Sequence, residues 1–244
     1  MPPEYKSNKK EKRFQRDYNE LILQTLHARA HLELWEQLND YKDNYLRELN
    51  QAPHFFQFTM LAHYSDALLT LSRILDEHKD SLSVWKFLNF AEQNRDIFSN
   101  EAFAQRMRQK PYHKSLIISH TPITHKEIAE DRQRLKNLEV TTSRIMYIRD
   151  KVLAHIDRTF YSRRGGITKK KYLFQRKELN KIYEVIDTLL TILNRYSTSY
   201  SAGRFLEKYL GEDDVNIVMN AIRFRIQERK KQLEALKRQT HNKE

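Results

Sequence analysis

Cysteine is absent from the sequence, which excludes thiol nucleophiles, thiolate metal sites and disulfides, and suits a reducing compartment such as the cytosol. Glycine and proline are scarce, at 4 and 5 of 244 residues. That is too little turn punctuation for a many-stranded protein, so helices are the default. No stretch approaches the roughly 18 uncharged apolar residues of a membrane span. The charged start Met-Pro-Pro-Glu-Tyr-Lys is not followed by the apolar core of an export signal. A soluble, cytoplasmic chain with no membrane partner is expected. Gly-rich phosphate loops, a Gly-x-Ser-x-Gly elbow and kinase signatures are missing too, so ATP use and serine hydrolysis have no support and no cofactor is expected.

What the chain has in excess is positive charge. Forty-four Lys and Arg face 32 Asp and Glu, a formal net charge of +12. Such a surface attracts polyanions, among them RNA, DNA, anionic lipid or an acidic partner, and charge alone does not choose between them.

Apolar spacing of three to four residues, through Leu21, Leu26, Ala30, Leu34, Leu38 and Leu46, predicts a long first helix over 13–49 that stops before Pro53. A second is expected over 54–77, and shorter ones over 83–94 and 100–109, the latter capped by Ser99 or Asn100 and closed by Pro111. Residues 112–122 read as a connector. Thr124 and Glu127 have capping-box spacing, so an unusually long helix should run from there to about Thr159. Gly165-Gly166 then interrupts a basic loop with room for a small hairpin. Helix resumes from Arg176 to about Tyr196, Ser201 opens a short helix closing at Gly211, and Asp213 or Asp214 caps the last one. That last helix carries Arg223, Arg225, Arg229, Lys230, Lys231 and Lys237, and should fray beyond Leu236. The domain plan is a disordered basic arm (1–12), an N-terminal helical extension (13–52), a helical core (53–198) and a basic C-terminal helical extension (199–244).

Near the end of the long helix lies Ile145-Met-Tyr-Ile-Arg-Asp-Lys-Val-Leu-Ala-His-Ile-Asp157. It places a permanent cation, Arg149, an adjacent carboxylate, Asp150, and an imidazole, His155, within two turns. Cleavage of RNA by its own ribose 2′-hydroxyl needs a group that titrates near neutrality and a fixed cation to stabilise the phosphorane, which His and Arg supply. At about 100° per residue, Ile145, Ile148, Val152 and Ile156 form an apolar stripe with Arg149 and His155 on its opposite edges, about 120° apart. If that stripe packed against its own copy across a two-fold axis, two arginines and two histidines would converge on one cleft.

Arg149-Asp150-Lys151-Val152-Leu153-Ala154-His155 resembles the signature of the HEPN superfamily: arginine, a polar residue, four or five residues, then histidine, near the end of a helical-bundle domain. The stretch His63-Tyr-Ser-Asp-Ala-Leu-Leu-Thr-Leu-Ser-Arg-Ile-Leu-Asp76, followed later by Arg-Asp-Lys-x-Leu-Ala-His-x-Asp, is similar to the abortive-infection branch of that superfamily. The resemblance spans roughly 55 to 195. It implies an all-α, HEPN-like bundle with additional N- and C-terminal helices, a homodimer with a composite cleft, and metal-independent RNA cutting that leaves a 2′,3′-cyclic phosphate. By it, Arg149 would contact the scissile phosphate, His155 would act as acid or base, and Asp150 would orient a neighbour or the substrate. His63, Tyr64, Asp66 and Arg73 would form a cleft wall or a dimer contact. A phage-defence or toxin–antitoxin role would require an antitoxin or an infection-dependent trigger as partner.

The basic loop offers Arg163, Arg164, Lys169, Lys170 and Lys171 as phosphate contacts along an RNA path, with Tyr161 and Tyr172 able to stack bases. Blander alternatives stand beside these. Arg149 could pair with a carboxylate on a neighbouring helix, His155 could be a satisfied interface residue, and the basic loop a solvated one. His27 and His31, four apart, lack a third ligand, so no metal site is expected. The rival functions are a non-catalytic RNA- or protein-binding module, and a DNA or membrane-surface binder using the basic last helix.

Overall fold

The computed structural model describes residues 7–42, 44–78, 80–108, 113–153, 174–201 and 214–241. Every regular element among them is helical: α1 (Lys9–Asp40), α2 (Leu46–Leu49), α3 (Pro53–Leu75), α4 (Val84–Gln93), α5 (Asn100–Met107), α6 (His113–Ile118), α7 (His125–Asn137), α8 (Glu139–Ile148), α9 (Leu179–Ser201) and α10 (Asp214–His241). Short 3-10 turns cover Arg95–Phe98 and Arg176–Glu178, and a π turn covers Arg149–Leu153. The all-α architecture expected from composition is the one observed.

The chain divides into two compact units, residues 1–29 with 67–207, and residues 30–66 with 208–244. Helices α1 and α3 each contribute to both.

The larger unit is organised around α9, which packs on α5, α7 and α8. Ile182, Val185, Ile186, Leu189, Leu193 and Tyr196 recur at helical spacing and are buried, which is why this segment holds the centre. At one end an aromatic cluster closes the core. Phe14 of α1 lies 5.5 Å from Phe87, 5.1 Å from Phe98 and 4.8 Å from Tyr200 between ring centroids, and Tyr196 reaches Phe87 and Phe98. Helix α1 begins at Lys9 rather than Arg13, because Asn8 and Glu11 cap it reciprocally: Glu11 N donates to Asn8 Oδ1 and Asn8 N to Glu11 Oε2, both at 3.0 Å. Residues 9–12, expected in a disordered arm, are therefore helical. Glu11 is buried, its other oxygen accepting from Arg106 Nη1 at 2.7 Å.

The smaller unit packs Leu38, Tyr45, Leu49 and Phe56 against Val215 and Met219 of α10. Arg223 of the basic last helix donates to Glu48 Oε1 at 2.8 Å and to Asn44 O at 3.0 Å while lying over the Tyr45 ring. One of the cations expected to face a polyanion is thus committed to holding this unit together. Helix α10 stays helical past Leu236, to His241.

Several boundaries differ from expectation for physical reasons. The first helix stops at Asp40, and Leu46–Leu49 forms a separate short helix. The connector over 112–122 contains α6, a helix flanked by the two prolines that made it look like a loop. The Thr124–Glu127 capping box forms, but the helix it starts breaks at Leu138, where φ −94° and ψ 8° leave the helical well before α8 begins. Ser201 is still within α9, the last residue described there, rather than at the start of a new helix. The expected short helix to Gly211 and the hairpin around Gly165-Gly166 lie outside the described residues.

Candidate functional site

The motif occupies the end of α8 and the wide turn that follows it. Ile145 and Ile148 are both 0% exposed, covered within the same chain where α8 packs on α9. These two positions of the expected two-fold stripe are therefore already covered within the chain, while the side chains of its other two, Val152 and Ile156, lie outside the described residues. From Arg149 to Leu153 the backbone runs as a π turn rather than the continuous α-helix expected to Thr159. The uniform 100° step that set Arg149 and His155 about 120° apart therefore does not hold across this segment.

Arg149 emerges where the helix widens. Its Nε donates to Asp150 Oδ1 at 2.7 Å, and its Nη1 donates to Asp76 Oδ2 at 3.2 Å, just beyond the end of α3. The hydrogen bond from Asp150, with further attraction from Asp76, raises the guanidinium pKa above its already high value, so it is a permanent cation. Two of its five N–H groups go to these carboxylates.

Asp76 and Asp150 also line a cleft of about 960 Å³ in the larger unit, bounded by the end of α3, the start of α4, and the facing sides of α7 and α8. Two aromatic side chains enter it. Trp85 is half-buried at the start of α4, and Tyr147, 42% exposed, lies two residues before Arg149. Thr142 and Ser143 add hydroxyls, and Glu77, Glu139, Arg132 and Lys136 add charges. Arg132 is already engaged by Glu92 at 2.6 Å and by Asn89 at 2.7 Å.

The upstream segment divides between the two units. His63 and Asp66 belong to the smaller one, where His63 Nδ1 lies 3.2 Å from His31 Nδ1, and His31 Nδ1 lies 3.4 Å from Asp66 Oδ2. Burial and the neighbouring His31 hold the His63 pKa below its usual value, so it carries a proton less readily. Among the described residues no cluster of three His, Asp or Glu has metal-ligand geometry. Tyr64 is 5% exposed, with its ring 5.3 Å from Trp35, a packing position. Arg73 is exposed on α3 in the larger unit, one turn before Asp76. None of these four lines the cleft that Asp76 and Asp150 share. His155, Arg163, Arg164, Lys169, Lys170 and Lys171 lie outside the described residues.

Asp76 is the site residue whose partnership with Arg149 sequence spacing did not assign, because 73 positions separate them. Its one signal was its place at the end of the upstream segment that carries the resemblance. Trp85 and Tyr147 gave no signal as a pair.

A helical bundle that sets an arginine–aspartate pair at a helix end, six positions before a histidine, defines the HEPN type of helical protein. The chain belongs to the AbiU2 family of HEPN proteins, the abortive-infection type, whose family model matches residues 11–221. Neither the curated proteins nor the solved structures provide a match.

Proposed function

We propose that this protein is a metal-independent endoribonuclease that acts in abortive infection or as the toxin of a toxin–antitoxin pair. In this reading the ribose 2′-oxygen attacks the adjacent phosphorus, the bond to the 5′-oxygen breaks, and a 2′,3′-cyclic phosphate remains. One imidazole accepts the 2′-hydroxyl proton and another gives a proton to the leaving 5′-oxygen, a division of labour that a homodimer with two copies of His155 supplies. Arg149 binds the phosphoryl oxygens as negative charge builds on them. Asp150 positions it through the 2.7 Å contact at Nε, leaving N–H groups of the guanidinium for the phosphate. Arg163, Arg164, Lys169, Lys170 and Lys171 guide the RNA backbone to the site, and either an antitoxin restrains the enzyme or an infection-dependent trigger switches it on.

The observation that carries this reading is the placement of Arg149, oriented by two carboxylates that themselves line an open cleft, inside the span matched by the family. The test is cleavage of total RNA, in EDTA, by wild-type, Arg149→Ala and His155→Ala proteins, with the 3′ ends of the products typed. Cutting by wild type alone, with cyclic-phosphate ends, is expected. Equal cutting by either variant would refute it.

The same carboxylates favour one rival. A guanidinium held by Asp76 and Asp150 is also what a structural arginine looks like, and a non-catalytic RNA- or protein-binding module would keep it for stability alone. In that case Arg149→Ala lowers the melting temperature and no protein cuts RNA in any state.

A further inference from the structure

From the cleft between α4, α7 and α8 we infer a binding site for one unpaired RNA base, selective for bases that carry an exocyclic amino group. It deepens the ribonuclease reading by naming what the site holds beside the scissile phosphate, although the binding it predicts does not depend on cutting.

The lining argues for a base, and the cleft's volume of about 960 Å³ leaves room for one together with its sugar. Trp85 and Tyr147 are among its lining residues, and base stacking on such side chains is a sequence-tolerant source of affinity. Charge argues against a phosphate in the same place. Among the described residues that line it, the four carboxylates of Asp76, Glu77, Glu139 and Asp150 outnumber the two cations, Arg132 and Lys136, and Arg132 is already bound by Glu92. A phosphate entering there would meet carboxylates; a neutral base would meet acceptors. Because Asp76 and Asp150 serve Arg149, Glu77 and Glu139 remain to receive N–H donors. Ionised carboxylates accept and cannot donate, so they suit the amino groups of adenine, cytosine and guanine, whereas uracil offers only its N3–H, flanked by two carbonyl oxygens that carboxylates repel. Arg149, sharing Asp76 and Asp150 with the cleft, then stands where the neighbouring phosphate of a bound strand can reach it.

The site can be read through Trp85, since Trp35 is the only other tryptophan. In Trp35→Phe protein, tryptophan emission is followed as 2′-O-methyl oligoadenylate or oligouridylate is added; the methyl group blocks the nucleophile, so binding is observed without cleavage. Saturable quenching is expected, with oligoadenylate bound about tenfold more tightly, the scale of one good base-edge contact. The double substitution Glu77→Gln and Glu139→Gln should erase most of that preference. Should Trp35→Phe protein fail to fold, the comparison of wild type with Trp85→Phe gives the same information, because the quench must vanish in the variant.

No saturable quench at Trp85, or equal affinity for the two strands, would overturn the inference. The two readings fail separately. Cutting that needs Arg149 but comes with no quench would leave the ribonuclease and remove the base site. A selective quench in a protein that never cuts would leave the base site and remove the ribonuclease.

Discussion

Replacing Asp131 by asparagine should stabilise the larger unit at neutral pH and do nothing for it in acid. Asp131 lies on α7 with its side chain 0% exposed, beside the buried Tyr196 hydroxyl. Arg195 Nη1 stands 3.0 Å from Oδ1, but its attraction does not offset the loss of water. Burial pushes the carboxyl up to about 6 from an ordinary value of 3.8. Between those two pH values the folded chain holds this proton more often than the unfolded chain does. Stability from this residue therefore falls as pH rises through the window and stays reduced above it. A rise of about two pH units corresponds to about 3 kcal/mol at neutral pH. For a chain of this size that is about 6–12 °C in melting temperature. The amide imitates the protonated carboxyl, so thermal unfolding of wild type and Asp131→Asn, followed by circular dichroism, should show the variant melting higher at neutral pH. The gap should close as pH approaches 3.8. A variant that melts at or below wild type at neutral pH would show that the Arg195 pair outweighs the burial, and the reasoning would be wrong.

Two further outcomes follow from other charged side chains. Arg144 grips Glu178 with both terminal nitrogens, at 2.8 and 3.3 Å, and together with the Gln175 backbone holds the carboxyl down to about 2. Its contribution is complete above the ordinary glutamate value of 4.5 and is lost as pH falls towards 2, so the melting gap between wild type and Glu178→Gln should shrink on acidification and stay constant from pH 6 to 8 if the pair matters. Arg106→Ala strands the Glu11 carboxylate, which is 1% exposed, and should cost about 3–5 kcal/mol in denaturant unfolding; a loss under about 1 kcal/mol would mean that α1 yields and lets water reach Glu11.

Local chemistry was legible in the sequence wherever it was completed locally. The Thr124–Glu127 box forms as spaced, and Ser99 Oγ accepts from Ala102 N at the start of α5. The Asn8–Glu11 box had the same kind of signal but was hidden inside a run of lysines that read as an arm. What depended on distant partners was not legible. Periodicity marked Ile145 and Ile148 as apolar correctly, yet it cannot say whether a second copy or the same chain covers them, and here α9 does. Nor can spacing pair Arg149 with Asp76, since that contact is fixed by how α8 lies against the end of α3. The break at Leu138 has no glycine or proline to announce it.

The π turn at Arg149–Leu153 carries one consequence for how this segment tolerates length changes. A wide turn is an α-helix holding one residue too many, with the surplus accommodated by a bulge instead of being passed on as rotation. Removing a residue such as Lys151 from the bulge would let the turn tighten to ordinary α geometry, while the packed stretch through Ile148 keeps its face against α9. The same deletion inside α8 would swing every later side chain by about 100° and pull the apolar stripe out of the core. A motif whose arginine and histidine are separated by four or five residues after the polar position has, in such a bulge, a place to gain or lose that residue without disturbing the bundle that carries it.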